Sequence, residues 1–294
     1  MLELLVKRVW CKARAGIQSI RSAGAPQGTS TTTRLPQEIV EMIIFYLVYD
    51  RPSLCACSLT CRSWYITAAP HLHHTYLLTG GPAPIGRRRL KDASKLGLLP
   101  LVKTLRIYQL VPRLGISSKL LNRCTLHHFS RLRNVQELGI DFLDVHSFMS
   151  SIQHHFGHFL PTVRSLALRG PRGSCRQIVF FIGMFQHLED LKLLYDEKPG
   201  WELMDEPTVS LPPFTPPAPP LQGRLTMTCF TRVGILEVMI ETFGGIRFRQ
   251  MDLFDVDGMR LLLDASASTL ETLRLYPEDP RGQEASLKVA IPTD

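Results

Sequence analysis

The sequence lacks any long uninterrupted apolar run. Its longest such stretches are Ile39 to Val48, broken by Glu41, and Ile178 to Phe185. Both fall short of the roughly 18 residues that a spanning helix needs, so no membrane partner is expected. Cysteine is sparse: Cys11, Cys55, Cys57, Cys61, Cys124, Cys175 and Cys229 make seven, with no C-x-x-C pair. An odd number with no secretory signal in front points to reduced thiols in the cytoplasm and/or nucleus, and gives a structural zinc site little support. The chain also has no Gly-rich phosphate loop, nucleophile elbow, H-E-x-x-H or paired catalytic carboxylates. No catalytic residue, cofactor or metal ligand is assigned, and the chain reads as not an enzyme.

Histidine clusters at His71, His73 and His74 and at His154, His155 and His158. A helical pair at His154 and His158 has the spacing of metal ligands. With no Cys or carboxylate at ligand spacing, the expectation is solvated surface histidines. Cys55, Cys57 and Cys61 read as small apolar packing residues.

Charge is low and unevenly spread. Of the net +8, residues 1–34 supply +5, from Lys7, Arg8, Lys12, Arg14, Arg21 and Arg34 against Glu3. The remainder carries only +3, whereas a phosphate-gripping domain would show a denser basic stripe, so no nucleic-acid partner is expected. Within the tail, Leu2 to Ile20 has the pattern of a basic amphipathic helix, and Ser22 to Thr33 reads as a linker. Residues 1–33 are expected to be a disordered basic tail, although such acid-poor N-termini also resemble mitochondrial transit peptides.

The segment after this tail is dense and helical. Pro36 suits a helix start, and Glu38 and Glu41 favour the positive end of its dipole. Ile39, Met42, Ile43, Tyr46 and Leu47 form one apolar face; Val40, Ile44 and Val48 form a second edge. Asp50 to Ser53 reads as a turn, Leu54 to Leu59 as a second helix. A third helix runs through Cys61, Trp64, Tyr65 and Ile66 to stop near Pro70. Three helices in about 45 residues cannot hide a helix that is apolar on both sides, so one side should meet a partner.

The residues that carry a resemblance are Leu35-Pro36-Gln37-Glu38-Ile39-Val40-Glu41-Met42-Ile43, Tyr46-Leu47, Leu54, and Ser58-Leu59-Thr60-Cys61-Arg62-Ser63-Trp64. This series is similar to the F-box pattern of Leu-Pro-x-Glu, an Ile/Leu-rich helix and Ser-Leu-Val-Cys-x-x-Trp. Thr60 stands where Val is usual, and Tyr65 follows the Trp where Arg or similar is common. The resemblance covers roughly residues 34–78. It implies docking on a Skp-type adaptor, and through it a cullin–RING ubiquitin ligase, by Leu35, Pro36, Ile39, Val40, Ile43, Ile44, Leu47, Leu59 and Trp64. Some of these must pack the helices together instead of touching the adaptor.

After a Gly/Pro and Arg-rich connector over residues 79–100, six segments read apolar-x-x-apolar-x-apolar. They begin at Val102, Val135, Val163, Leu188, Phe248 and Leu270; a weaker seventh is Leu221 to Met227. Their central residues, 105, 138, 166, 191, 225, 251 and 273, are 33, 28, 25, 34, 26 and 22 apart. Leucine-rich repeats run about 20–29 residues, each a strand and a return segment. No copy can bury its apolar face alone, and stacking makes a continuous core.

The expected fold is therefore α+β: a three-helix module, then an irregular leucine-rich-repeat-like solenoid with a parallel sheet over residues 101–278. Val145 to Phe159 and Ile178 to His187 have helical spacing for its convex side. Pro207 to Pro220 reads as a stiff Pro-rich loop, and 279–294 as a C-terminal tail. The chain stops soon after the last copy with no evident polar cap. The architecture looks like that of fungal F-box proteins.

The expected function is the substrate-recognition subunit of a Skp–cullin–F-box ligase. The outward strand positions Arg106, Tyr108, Asp141, Arg169, Lys192, Asp252, Arg274 and Tyr276 would bind a protein substrate. Their mixed signs favour protein over nucleic acid. The competing reading is a non-catalytic repeat scaffold without a ubiquitin link, mitochondrial if the basic N-terminus is a presequence.

Overall fold

A computed structural model of the chain describes residues 35–80, 85–109, 128–142, 145, 160–171, 173–194, 221–230, 233–243, 245–256, 259–276 and 287–290. The N-terminal tail, the Pro-rich segment, residues 146–159 and the His154/His158 pair lie outside the described residues. The chain divides into two compact units, Met1–Leu72 and His73–Asp294.

The first unit holds α1 (Gln37–Tyr46), α2 (Arg51–Ser58) and α3 (Arg62–His73). Pro36 is the N-cap of α1, a position where its missing N–H costs nothing. Asp50 caps α2 by accepting from the Ser53 amide at 3.3 Å and the Ser53 hydroxyl at 2.5 Å. Those bonds, the side-chain one foremost, hold its carboxyl below the ordinary aspartate range. The expected turn at residues 50–53 is thus the capped first turn of a helix. Nor does α3 stop near Pro70. It continues to His73 with the proline inside it, because Pro70 sits exposed in the last turn, where one lost backbone bond is tolerable. Val40, Ile44, Leu54, Ala68 and Leu72 form the core, with Leu47, Cys57 and Trp64 packed against it. Each fully buried aliphatic side chain is worth roughly 1.5–3 kcal/mol, and this core is small for the residues it must order.

Among the described residues, the second unit holds one nine-stranded sheet in chain order. Its strands are β1 (Thr75–Gly80), β2 (Thr104–Gln109), β3 (Glu137–Asp141), β4 (Ser165–Arg169), β5 (Asp190–Leu194), β6 (Leu221–Phe230), β7 (Ile246–Val256), β8 (Thr272–Tyr276) and β9 (Leu287–Ala290). Strands β1 to β8 run parallel, and β9 closes the edge antiparallel to β8. Helices α4 (Ile85–Lys95), α5 (Cys175–Gly183), α6 (Val233–Thr242) and α7 (Met259–Ser266) lie between strands.

The apolar triads explain the sheet. Leu105, Leu138, Leu166, Leu191, Leu225, Met251 and Leu273 stand in one register row. Ile107, Ile140, Leu168, Leu193, Met227, Leu253 and Leu275 stand in the next. All but Leu275 are buried, together with the leading Val102, Val135, Val163, Leu188, Phe248 and Leu270. The weak copy at Leu221 is a full ten-residue strand.

A recurring backbone device spaces the strands. The amides of Lys103 and Thr104 both donate to the His74 carbonyl at 2.8 Å; those of Gln136 and Glu137 donate to Lys103 at 2.8 and 3.0 Å. Arg164 and Ser165 repeat this on Gln136, and Glu189 and Asp190 on Arg164. Each carbonyl on this line satisfies two amides that would otherwise be orphaned as the next strand begins.

Three segments differ from the sequence expectation. Strand β1 precedes the first expected copy; its triad begins with His73 in place of an apolar residue, which hid it. Residues 85–95, read as connector, are helix α4, with Leu90 and Ser94 buried one turn apart. It ends at Gly97 (φ 69°), where the Leu98 amide reaches the Ala93 carbonyl at 3.0 Å and the Gly97 amide reaches Ser94 at 3.2 Å. Residues 287–290, read as tail, pair as β9. Of the expected helical segments, Ile178 to His187 is realised earlier, as α5, because Ser174 and Gln177 form a capping box that fixes its start.

Gly223 sits beside an irregularity in the β6–β7 register, at φ 96°, where an added Cβ would lie 2.1 Å from the Glu189 carbonyl oxygen. Gly223→Ala should therefore cost more than about 3 kcal/mol in urea denaturation, since backbone cannot swing aside. Gly97→Ala meets no atom within 4 Å and should cost only the left-handed penalty of about 1–2 kcal/mol. Equal costs for the two variants would contradict this geometry.

Candidate functional site

Two surfaces, one on each unit, gather the residues singled out in the sequence. On the helical unit, Gln37 fixes α1 to α3. Its Nε2 donates to Thr67 Oγ1 at 2.9 Å and to Glu41 Oε1 at 3.2 Å, while Ser63 Oγ donates to its Oε1 at 2.8 Å. With Val40 and Ile44 turned inward, Leu35, Ile39, Met42, Phe45, Tyr46, Leu59 and Ile66 stay exposed. Phe45 is 70% and Tyr46 77% exposed, and their rings meet edge to face at 6.3 Å. An open depression between α1 and α3 is lined by Gln37, Glu41, Met42, Phe45, Ile66 and Thr67, with Pro70 and His71 beyond.

The nine expected docking residues thus divide. Leu35, Pro36, Ile39 and Leu59 are exposed, Ile43 is half-buried, Leu47 and Trp64 pack against the core, and Val40 and Ile44 are inside it. Val40 and Ile44 bear on any docking only by holding α1 in place. Sequence reasoning missed Phe45 and Ile66 as surface residues, and Gln37 as the clasp. The signal for Phe45 was available: it lies off both helical stripes yet is aromatic. The clasp could be found only from the packed helices.

On the sheet, the side chains opposite the core fall in register rows. Arg106, Gly139, Ala167, Lys192, Thr226, Asp252 and Arg274 make one; Tyr108, Asp141, Arg169, Leu194, Thr228, Phe254 and Tyr276 make the next. All eight expected substrate residues therefore lie in two adjacent rows. Arg106 and Arg169 are exposed; Tyr108, Asp141, Lys192, Arg274 and Tyr276 are half-buried.

Asp252 departs from the expectation. It is buried at 5% exposure, with its Oδ2 taken by Arg224 through Nε at 3.0 Å and through a second guanidinium nitrogen, and with Arg274 at 3.7 Å from Oδ1. That pairing, the Asp252 hydrogen bond first, raises the Arg224 pKa still further and keeps it charged. Asp252 is thus the organiser of two arginines, not itself an exposed contact. Nearby, Lys192 lies 3.1 Å from Asp190, whose Oδ2 also accepts from Ser165 at 2.9 Å. Phe254 and Tyr276 stack at 4.0 Å with their planes 4° apart. At the other end Tyr108 meets Phe142 edge to face at 6.2 Å, and Phe142 holds a left-handed backbone, φ 60°, unusual for a bulky residue.

Among the described residues no group of three His, Cys, Asp or Glu side chains is arranged to hold a metal. No described helix is long and apolar enough to cross a membrane.

The small helical unit leaves one apolar face uncovered. Residues 32–79 match the family model described as F-box-like. The match spans 48 of the 294 residues, and over that span the chain carries an F-box-like domain. The matched span passes beyond the helical unit into β1. No curated protein and no solved structure matches the chain.

Asp252→Ala strips two half-exposed arginines of their common anion and should cost about 1–3 kcal/mol in thermal unfolding. Ile44→Ala should cost about 2–4 kcal/mol through its cavity, while Phe45→Ala, on the surface, should stay within about 0.5 kcal/mol. A large effect of Phe45→Ala would mean that this face is not free.

Proposed function

We propose that the protein is the substrate-recognition subunit of a Skp–cullin–F-box ubiquitin ligase, acting in the cytoplasm and/or nucleus. The observation that carries this reading is an F-box-like helical unit whose exposed Leu35, Ile39, Met42, Phe45 and Leu59 exceed what its own core covers. A Skp-type adaptor supplies the missing cover, and a cullin–RING scaffold binds through it. The chain performs no chemistry. Its contribution is proximity, because a tethered substrate meets the conjugating enzyme at high effective concentration.

The second unit is read as a leucine-rich-repeat-like solenoid. Eight parallel strands in chain order, with helices between them and the apolar triads in register, support that reading. Its outward rows would take a protein substrate, with Arg106, Arg169 and Tyr276 as anchors. Arginine and tyrosine contribute most where binding fully desolvates them.

The test is co-purification of the full chain with adaptor and cullin from proteasome-inhibited cells, followed by proteomics. Ile39→Asp together with Phe45→Asp places charge on a face that must become dry and should abolish adaptor capture, a loss of several kcal/mol. Since both sites are exposed, the melting temperature should hold. Arg106→Ala with Tyr276→Ala should instead keep the adaptor and lose substrates. A wild-type chain that purifies without adaptor or cullin would favour a repeat scaffold with no ubiquitin link.

A further inference from the structure

Helix α4 is the most basic element of the described fold. Arg87, Arg88, Arg89, Lys91 and Lys95 stand against Asp92, a net +4. With the N-terminal tail at +5 and the whole chain at +8, everything else comes to −1. Among the described residues, α4 carries +4 in eleven positions and all the others together carry +3, so positive charge is densest here.

The placement is specific. Leu90 and Ser94 face the core, which leaves Arg88, Lys91 and Lys95 exposed at i, i+3 and i+7. That spacing is one ridge, with charges about 4.5 and 10.5 Å along the axis from the first. A further cation lies beside the helix's last turn: the Arg131 guanidinium donates to the Ser94 carbonyl at 3.1 Å and to its hydroxyl at 2.9 Å. Among the described residues, Arg88, Lys91 and Lys95 make no ion pair.

The ridge also breaks a local rule. The first turn of α4 contains arginines and no acidic residue, although cations at the positive end of a helix dipole are destabilising. A charge arrangement that lowers stability is expected where function requires it. Dipole and arginines add to a single positive field, and an approaching anion relieves both.

We propose that the outer ridge of α4 docks an acidic segment of a protein partner. Carboxylates one helical turn apart on an opposing segment match the ridge spacing. Asp92, on the same helix and exposed, opposes a continuous phosphate backbone. The described exposed residues of the helix include no aromatic ring on which bases could stack. The apolar side of α4 is used in the core, so it cannot enter a bilayer as an amphipathic helix does.

The experiment is fluorescence anisotropy of the full chain with a labelled Glu-rich helical peptide carrying i, i+4 carboxylates. Saturable binding is expected, weakening as salt rises from about 50 to about 200 mM. R88Q/K91Q/K95Q should lose about tenfold or more in affinity, while R88K should bind as wild type does. No binding, or equal binding by the triple variant, would overturn the proposal. So would tighter binding to a single-stranded RNA of matched charge or to phosphatidylserine vesicles. Adaptor capture, measured in parallel, should be unchanged in the triple variant, so the ligase reading and this one stand or fall separately.

Discussion

The second unit rests on one constraint: two inward side chains, two residues apart, must keep the same register across every parallel strand. A strand slipped by one residue would turn Leu138 and Ile140 outward and carry Gly139 and Asp141 into the core. The paired amides shared on the carbonyls of His74, Lys103, Gln136 and Arg164 also restrict that slip. Register then determines the outer surface as well. Arg106 and Lys192 share a row because Leu105 and Leu191 share one. The irregularity beside Gly223 is where this regularity yields, and there the chain has the one residue whose missing Cβ permits it.

The same constraint separates what could be read from the sequence and what could not. The apolar-x-x-apolar-x-apolar triads were legible because burial demands them in each copy, and their first and central positions are buried from Val102 to Leu273. Strand β1 was illegible because His73 occupies the leading place and the tyrosine hydroxyl of Tyr76 interrupts the apolar code. Helix α4 looked like a linker because, among its described side chains, only Leu90, Ala93 and Ser94 face inward, too few for a stripe. In the docking series, pattern gave the set of residues but not their division. Val40 and Ile39 are neighbours in sequence with similar apolar character, and only the approach of α2 and α3 decides which is inside.

The helical unit poses the opposite problem, with more apolar surface than neighbours to cover it. Its core side chains are few, and Gln37 adds three hydrogen bonds at an exposed site, where each is worth little alone. Their value lies in direction. Nε2 and Oε1 of one side chain reach Thr67 and Ser63 on α3, so α1 cannot roll without losing both. Rolling would exchange Ile39 and Phe45 for Val40 and Ile44 on the outer face. The clasp therefore keeps the uncovered face constant, which matters more for docking than the stability it adds.

Burial also changes the meaning of the charges on the sheet. In sequence, Asp252 and Arg274 look like equivalent outward residues of opposite sign, which suggests a neutral face. In the folded sheet Asp252 is covered, and its anion is divided between Arg224 and Arg274, whose side chains remain 43% and 39% exposed. Asp190 is similarly drawn back, at 24%, under Lys192 at 39%. Carboxylates thus form the lower layer and cations the upper one. Positive charge on this face is thus already oriented by the anions beneath it, and less side-chain entropy would be left to lose in a contact made there. The stacked Phe254 and Tyr276 adjoin this layer in the next row.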